Sequence, residues 1–163
     1  MAALRHRFPA FYVRPESGPG SGAAHSTPTY TARMPTVETS TPPGTPAPIG
    51  PYSHVARVGS WITIGGTAGF DPATGALAGP DVETQTTRIL ESFRVMLESA
   101  GSDLAHVVHV NVFLRNMGDF EAMNRAYVTV MGDLRPARTV IGVADLPKPD
   151  VLLTMNLTAV TCG

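Results

Sequence analysis

Val107-Val108-His109-Val110-Asn111-Val112-Phe113-Leu114-Arg115 alternates along its whole length. Val108, Val110, Val112 and Leu114 fall on one face, and His109, Asn111, Phe113 and Arg115 on the other. A period of two predicts a strand with one face on a core. Helical patterns lie on both sides of it. From Asp81 to Ala100, the residues Ile89, Leu90, Phe93, Leu97 and Ala100 recur at helical spacing. Glu83 favours the first turn of that helix and Gly101 supplies its C′ position. From Asp119 to Met131, the residues Phe120, Met123, Tyr127 and Met131 form a second stripe, with Asp119 near the cap. Further out, Val55–Gly59 and Trp61–Gly66 read as strands joined at Gly59-Ser60, and Thr139–Val143 and Leu152–Val160 as two more. Asp71-Pro72 and Gly75 mark a turn, and Leu146-Pro147-Lys148-Pro149 marks another. The order β-β-α-β-α-β-β predicts an α+β domain, a mixed sheet with both helices on one face. The other face keeps apolar groups such as Phe113 and invites oligomerisation.

Composition narrows the classes. The 163 residues fit one domain plus a tail. Charged residues are 15% and the net charge is -1, which argues against a nucleic-acid partner, since phosphate binding wants a clustered excess of Lys and Arg. No apolar run is long enough to span a bilayer, and no apolar core of a secretory signal is present. The single cysteine, Cys162, builds neither a disulfide framework nor a zinc site, so a cytoplasmic, reducing setting is expected. Residues 1–47 are rich in Pro, Gly, Ser and Thr and read as a disordered extension, with the domain proper at 48–163. Arg5, Arg7, Arg14 and Arg33 stand there against Glu16 alone. The extension reads as a transit peptide, a non-functional extension, or an over-long start with Met34 as the true first residue.

Two segments carry chemistry. Pro48-Ile49-Gly50-Pro51-Tyr52-Ser53-His54 is a tight-turn cassette bearing a phenol. Arg135-Pro136-Ala137-Arg138-Thr139 sets an arginine at the start of an apolar run. A guanidinium forks two hydrogen bonds onto a carboxylate and keeps its charge, so Arg138 suits a carboxylate clamp or a structural salt bridge. His54 is a potential acid or base if it faces a cleft, and a surface turn residue otherwise. His106 and His109 are three apart on a predicted strand, face opposite ways and make no metal pair. Gln85 reads as a helix-surface residue.

The cassette, Asp71-Pro72-Ala73-Thr74-Gly75, Gln85-Thr86, Glu98-Ser99-Ala100-Gly101, Val110–Leu114, Asp119-Phe120, Asn124 with Tyr127, Pro136–Thr139 and Leu146-Pro147 occur in this order. Together they resemble the Rid family, also called YjgF or reactive-intermediate deaminases, over about residues 35–160. The resemblance implies a chorismate-mutase-like fold and a homotrimer with clefts between subunits. It implies hydrolysis of small carboxylated imines or enamines to 2-oxo acids and ammonia, with no cofactor and no metal. Arg138 matches the family's carboxylate-binding arginine, Tyr52 a cleft tyrosine and Asn124 a helix asparagine. Gly65-Gly66-Thr67 falls where many members carry Ser-Gly-Gln, so a hydroxyl is lost at Gly65 and Thr67 is the candidate substitute. Thr154 falls where deaminases carry a glutamate that activates water, and Asn156 replaces a second acid. A threonine orients water but is a poor base near neutral pH. The resemblance therefore implies a deaminase using Arg138, Tyr52 and Thr154, with Asn124, Gly65, Gly66, Thr67 and His54 in the pocket. The alternative it leaves open is a diverged member that binds or converts a pathway-specific intermediate.

Overall fold

The computed structural model describes residues 36–163. In chain order they form β1 (Glu38–Ser40), β2 (Val55–Val58), β3 (Trp61–Thr67), α1 (Val82–Ser99), β4 (Val107–Leu114), α2 (Phe120–Met131), β5 (Ala137–Gly142) and β6 (Leu153–Val160). One sheet holds all six strands in the order β1-β2-β3-β6-β4-β5. β4 and β5 are parallel, and the other neighbours are antiparallel. β3 and β4 flank β6 and so run the same way. Each helix is therefore the crossover of a parallel pair.

The expected mixed sheet with two helices is present, with one strand more. Glu38-Thr39-Ser40 has no apolar alternation to announce it; its backbone pairs with Arg57-Ala56-Val55. Thr45 is buried and donates to the Pro42 carbonyl at 2.6 Å. Residues 38–46, expected within a disordered extension, are held by the β1–β2 backbone pairing and by burial of Pro42, Thr45 and Pro46. The expectations for residues 1–35, Met34 included, lie outside the described residues.

Local chemistry explains the helix ends. Asp81 caps α1, its carboxylate accepting the Thr84 N–H at 2.8 Å. Gly101, at φ +76°, turns the chain out of the helix, and Ser102 N–H returns to the Leu97 carbonyl at 2.9 Å. Asp119 stands at the N-cap of α2, as its position suggested, but its side chain makes no capping bond. Ile89, Phe93 and Leu97 of α1, Met123 and Met131 of α2, and Val110, Val112, Leu153 and Met155 of the sheet share one core. Both helices cover the same sheet face.

One face assignment in β4 needs correction. Val108, expected in the core, is 42% exposed, while Val107 is buried. The register against β6 slips between Val107 and His109, and this irregularity turns Val108 outward. Alternation resumes at Val110. Gly69 marks the tightest approach of backbone to α1: a Cβ there would lie 2.8 Å from Gln85 Cα and 2.9 Å from its carbonyl oxygen. Gly69→Ala is expected to cost about 2 kcal/mol, read as a lower urea midpoint with an unchanged slope.

Candidate functional site

A cavity of about 410 Å³ opens where the cassette, the β3 bulge, β6 and the loop before β6 meet. Tyr52, His54, Gly65, Gly66 and Thr154 all line it. The bulge at Gly65-Gly66 interrupts β3 pairing between Ile64 and Thr67. Gly65 N–H donates to the His54 carbonyl at 2.8 Å, which ties the cassette to the sheet. A Cβ on Gly65 would sit 3.8 Å from that carbonyl, an ordinary contact, so the glycine enlarges the cavity without being required by the backbone.

Tyr52 is exposed, and its phenol oxygen accepts the Ile49 N–H at 3.3 Å. Its ring meets that of His54 edge-on, centroids 5.5 Å apart. His54 is 3% exposed, which corrects its reading as a surface turn residue. Its Nε2 lies 2.7 Å from the Pro46 carbonyl. A carbonyl only accepts, so Nε2 carries the proton. Nδ1 is buried without a partner. His54 thus packs under Tyr52 and holds the cassette against residue 46. Thr67 is also corrected: it is buried, its hydroxyl donates to the Gly65 carbonyl at 3.1 Å, and it does not line the cavity. β6 alternates as its sequence predicts, with Leu153, Met155, Leu157 and Ala159 buried and Thr154, Asn156 and Thr158 on the uncovered face. Asn156 accepts from the Asn111 amide at 2.8 Å and is spent within the sheet.

Lys148 was not anticipated. It is the chain's single lysine and lines the same cavity. Its loop is bracketed from two sides. Arg115 donates to the Val151 carbonyl at 2.8 Å and the Lys148 carbonyl at 3.0 Å, and pairs with Asp145 at 3.0 Å. Gln85, expected on the surface, is 0% exposed. Its amide donates to the carbonyls of Gly79 at 3.0 Å and Asp150 at 2.9 Å, and accepts the Leu152 N–H at 2.9 Å. The helical period of α1 places Gln85 on its buried stripe, and that was the available signal.

Arg138 and Asn124 lie elsewhere, in a groove with Tyr127, Leu134 and Arg135. The Arg138 guanidinium stands 4.6 Å above the Tyr127 ring and, among the described residues, makes no ion pair. The Tyr127 hydroxyl is buried without a partner, and desolvation raises its pKa against the lowering influence of Arg138 and Arg135. Tyr127 reads from the sequence as a helix-stripe residue that also pairs with Asn124 in the family resemblance; its orphaned phenol beside Arg138 makes it a site candidate.

Strand register separates the two groups. Arg138 pairs with Val110, whose side chain is under the helices. Thr154 pairs with Phe113, on the uncovered face. Paired residues point the same way, so Arg138 and Thr154 face opposite sides of the sheet. Among the described residues the cavity lining holds no carboxylate and no thiol, and its one imidazole is tied through Nε2 to the Pro46 carbonyl. It offers hydroxyls, backbone groups and a cation, which orient a polar ligand and water. Among the described residues no helix is long and apolar enough to cross a membrane.

Two strand pairs crossed by helices, with a Gly-bulged strand beside a Tyr-bearing turn, define a small single-domain fold that recurs in known proteins. The family model "Endoribonuclease L-PSP" matches residues 43–161. A RutC family protein of Pyrococcus abyssi is 42% identical over 114 residues, covering 70% of this chain and 89% of that one. A 2-iminobutanoate/2-iminopropanoate deaminase of Dermatophagoides farinae is 33% identical over 106 residues, 65% of this chain and 83% of that one. The crystal structure of RidA from a Psychrobacter species superimposes with a TM-score of 0.72 at 32% identity, covering 76% of this chain and 98% of that one. The chain belongs to the endoribonuclease L-PSP family, the YjgF or Rid proteins.

Proposed function

We propose that the protein hydrolyses small carboxylated imines, the tautomers of enamines, to 2-oxo acids and ammonia. The observation that carries this is Arg138: an arginine that, among the described residues, makes no ion pair and is braced on Tyr127 beside Asn124. Similarity to the D. farinae deaminase supports this reading. Because Arg138 and the Thr154 cavity face opposite ways, a site that uses both needs two chains. The uncovered sheet face, with Trp61, Ile141 and Phe113 at least partly exposed, supplies the surface for a homotrimer. Arg138 of one subunit then holds the carboxylate over the neighbour's cavity, with Lys148 adding positive charge at its edge.

In the reaction, water oxygen bonds to the imine carbon as the C=N π pair moves to nitrogen. The tetrahedral adduct then expels ammonia and leaves C=O. The chain supplies orientation to these steps. The Thr154 hydroxyl holds the water, and Tyr52 bounds its approach. Imines are reactive enough that positioning alone gives a useful rate.

The missing carboxylate favours a second function in its own right. A cavity without Asp or Glu in its lining suits retention or conversion of a larger pathway-specific intermediate, with slow hydrolysis as a side activity. One assay separates the two. An imine is generated in place by an amino-acid oxidase or a serine dehydratase, and semicarbazide competes for it. Faster 2-oxo acid formation and less semicarbazone with wild-type protein support deamination. No protection across several imines overturns it. In the same assay Thr154→Glu is expected to raise the rate by about a hundredfold, the lower range for a positioned general base. An unchanged rate would show that a carboxylate at 154 does not reach the water.

A further inference from the structure

Asp103, His106 and Cys162 lie on the far end of the sheet from the cavity residues, in segments the deamination chemistry does not use. Their donor atoms fall within 4.8 Å of one another. Cys162 Sγ is 3.4 Å from His106 Nδ1 and 3.6 Å from Asp103 Oδ2. A tetrahedral zinc ion with sulfur at about 2.3 Å and nitrogen and oxygen at about 2.0–2.1 Å has S–N and S–O edges of about 3.5 Å. The two measured edges match that tetrahedron. We infer that Asp103, His106 and Cys162 form a binding site for one divalent transition-metal ion per chain, zinc by donor chemistry, with the fourth position left to water.

The backbone holds the three donors without the ion. Asp103 caps the 3-10 turn Leu104–His106, its Oδ1 accepting the N–H groups of Ala105 at 2.8 Å and His106 at 3.2 Å. That leaves Oδ2 for the metal. The tail bearing Cys162 is pinned beside this turn: Cys162 N–H donates to the Gly101 carbonyl at 2.9 Å, Thr161 N–H to Ser60 at 2.9 Å, and the Ser102 hydroxyl to Val160 at 2.7 Å. His106 Nδ1 is 2.8 Å from Asp103 Oδ1. On metal binding that one bond is exchanged, Nδ1 presents its lone pair and the ring proton sits on Nε2, while the backbone bonds keep Asp103 in place. The thiol loses its proton to solvent as the S–metal bond forms.

A reactive redox thiol fits the surroundings less well. Local desolvation of the exposed thiol and the neighbouring Asp103 carboxylate both raise the Cys162 pKa, which disfavours a nucleophilic thiolate in the absence of a cation. A bound divalent ion reverses that balance. His106, expected on the strand beside His109, lies instead in the 3-10 turn Leu104–His106, and that turn directs it toward the tail.

The test is a titration of the full, untagged, reduced chain with Co2+, a spectroscopic stand-in for zinc. One equivalent is expected to bring up a thiolate-to-cobalt charge-transfer band and tetrahedral visible bands, all abolished by one equivalent of Zn2+. Cys162→Ser, at a terminal position that does not enter the core, is expected to lose the charge-transfer band. Asp103→Asn keeps a capping side chain, so the fold should be retained by circular dichroism while affinity falls about tenfold or more. His106→Gln is expected to do the same. Absence of the band in reduced wild type overturns the site. So does saturation at half an equivalent, which means an ion shared between chains, or a metal affinity that survives Cys162→Ser, which places binding elsewhere in the chain.

Discussion

Arg138→Ala is expected to lower kcat/KM for imine hydrolysis by about two to three orders of magnitude. A bidentate, charge-assisted contact to a carboxylate is worth about 3–4 kcal/mol once water is excluded, and each 1.4 kcal/mol is about tenfold. The loss should be specific to charge, because Arg138 is exposed and rests on the Tyr127 ring. Thermal stability should therefore hold, and calorimetry should show loss of 2-oxo acid binding. Arg138→Lys keeps the charge but not the fork, and is expected to recover only part of the activity. Unchanged affinity in Arg138→Ala would remove the clamp.

The same variant tests the two-chain site. Gly65→Leu should fill the cavity and silence a chain whose Arg138 is intact, since a Cβ there meets the His54 and Ser53 carbonyls only at ordinary contact distance. Each variant alone is inactive. Refolded together in equal amounts, they should recover about a quarter of wild-type activity, the product of about one half for each contributing surface in a randomly mixed ring. Zero recovery would mean that both groups act within one chain or that the clamp lies elsewhere.

Gln85→Leu is expected to destabilise the domain by about 3 kcal/mol. One buried amide satisfies the Gly79 and Asp150 carbonyls and the Leu152 N–H, and its loss leaves all three without that partner, at about 1 kcal/mol or more each. For a domain of this size that corresponds to a melting temperature lower by roughly 10 °C. Because Asp150 follows the cavity-lining Lys148 and precedes Val151, the change should also loosen the loop. Hydrogen exchange at residues 148–152 is expected to accelerate more than in the centre of β6. Uniform acceleration would assign Gln85 to global stability alone.

Much of the fold could be read from local pattern. The alternation of β6 and of β4 beyond Val110, the stripes of α1 and α2, the Asp81 cap and the Gly101 stop are all set by residues within a turn or two of one another. β1 was not readable, because Glu38-Thr39-Ser40 owes its conformation to β2 and carries no pattern of its own. Val108 was misread because a register slip against β6 is invisible in β4 alone. His54 and Gln85 were misread as surface residues, since what buries them comes from distant segments: the turn near Pro46 in one case, the Asp150–Leu152 loop in the other.

The candidate site divides the same way. By itself the sequence determined which side chains are available: one arginine in a Pro-Ala-Arg-Thr run, a Tyr-Ser-His turn, a threonine and no acid in the last strand. Only the tertiary structure decided how they group. Strand register turns Arg138 toward the helices and Thr154 away from them, the single lysine is brought to the cavity by a loop pinned through Arg115 and Gln85, and the single cysteine is carried to Asp103 and His106. Side-chain identity and period are properties of neighbours along the chain. Which face a paired strand presents, and what a folded tail meets, depend on hydrogen bonds between residues tens of positions apart.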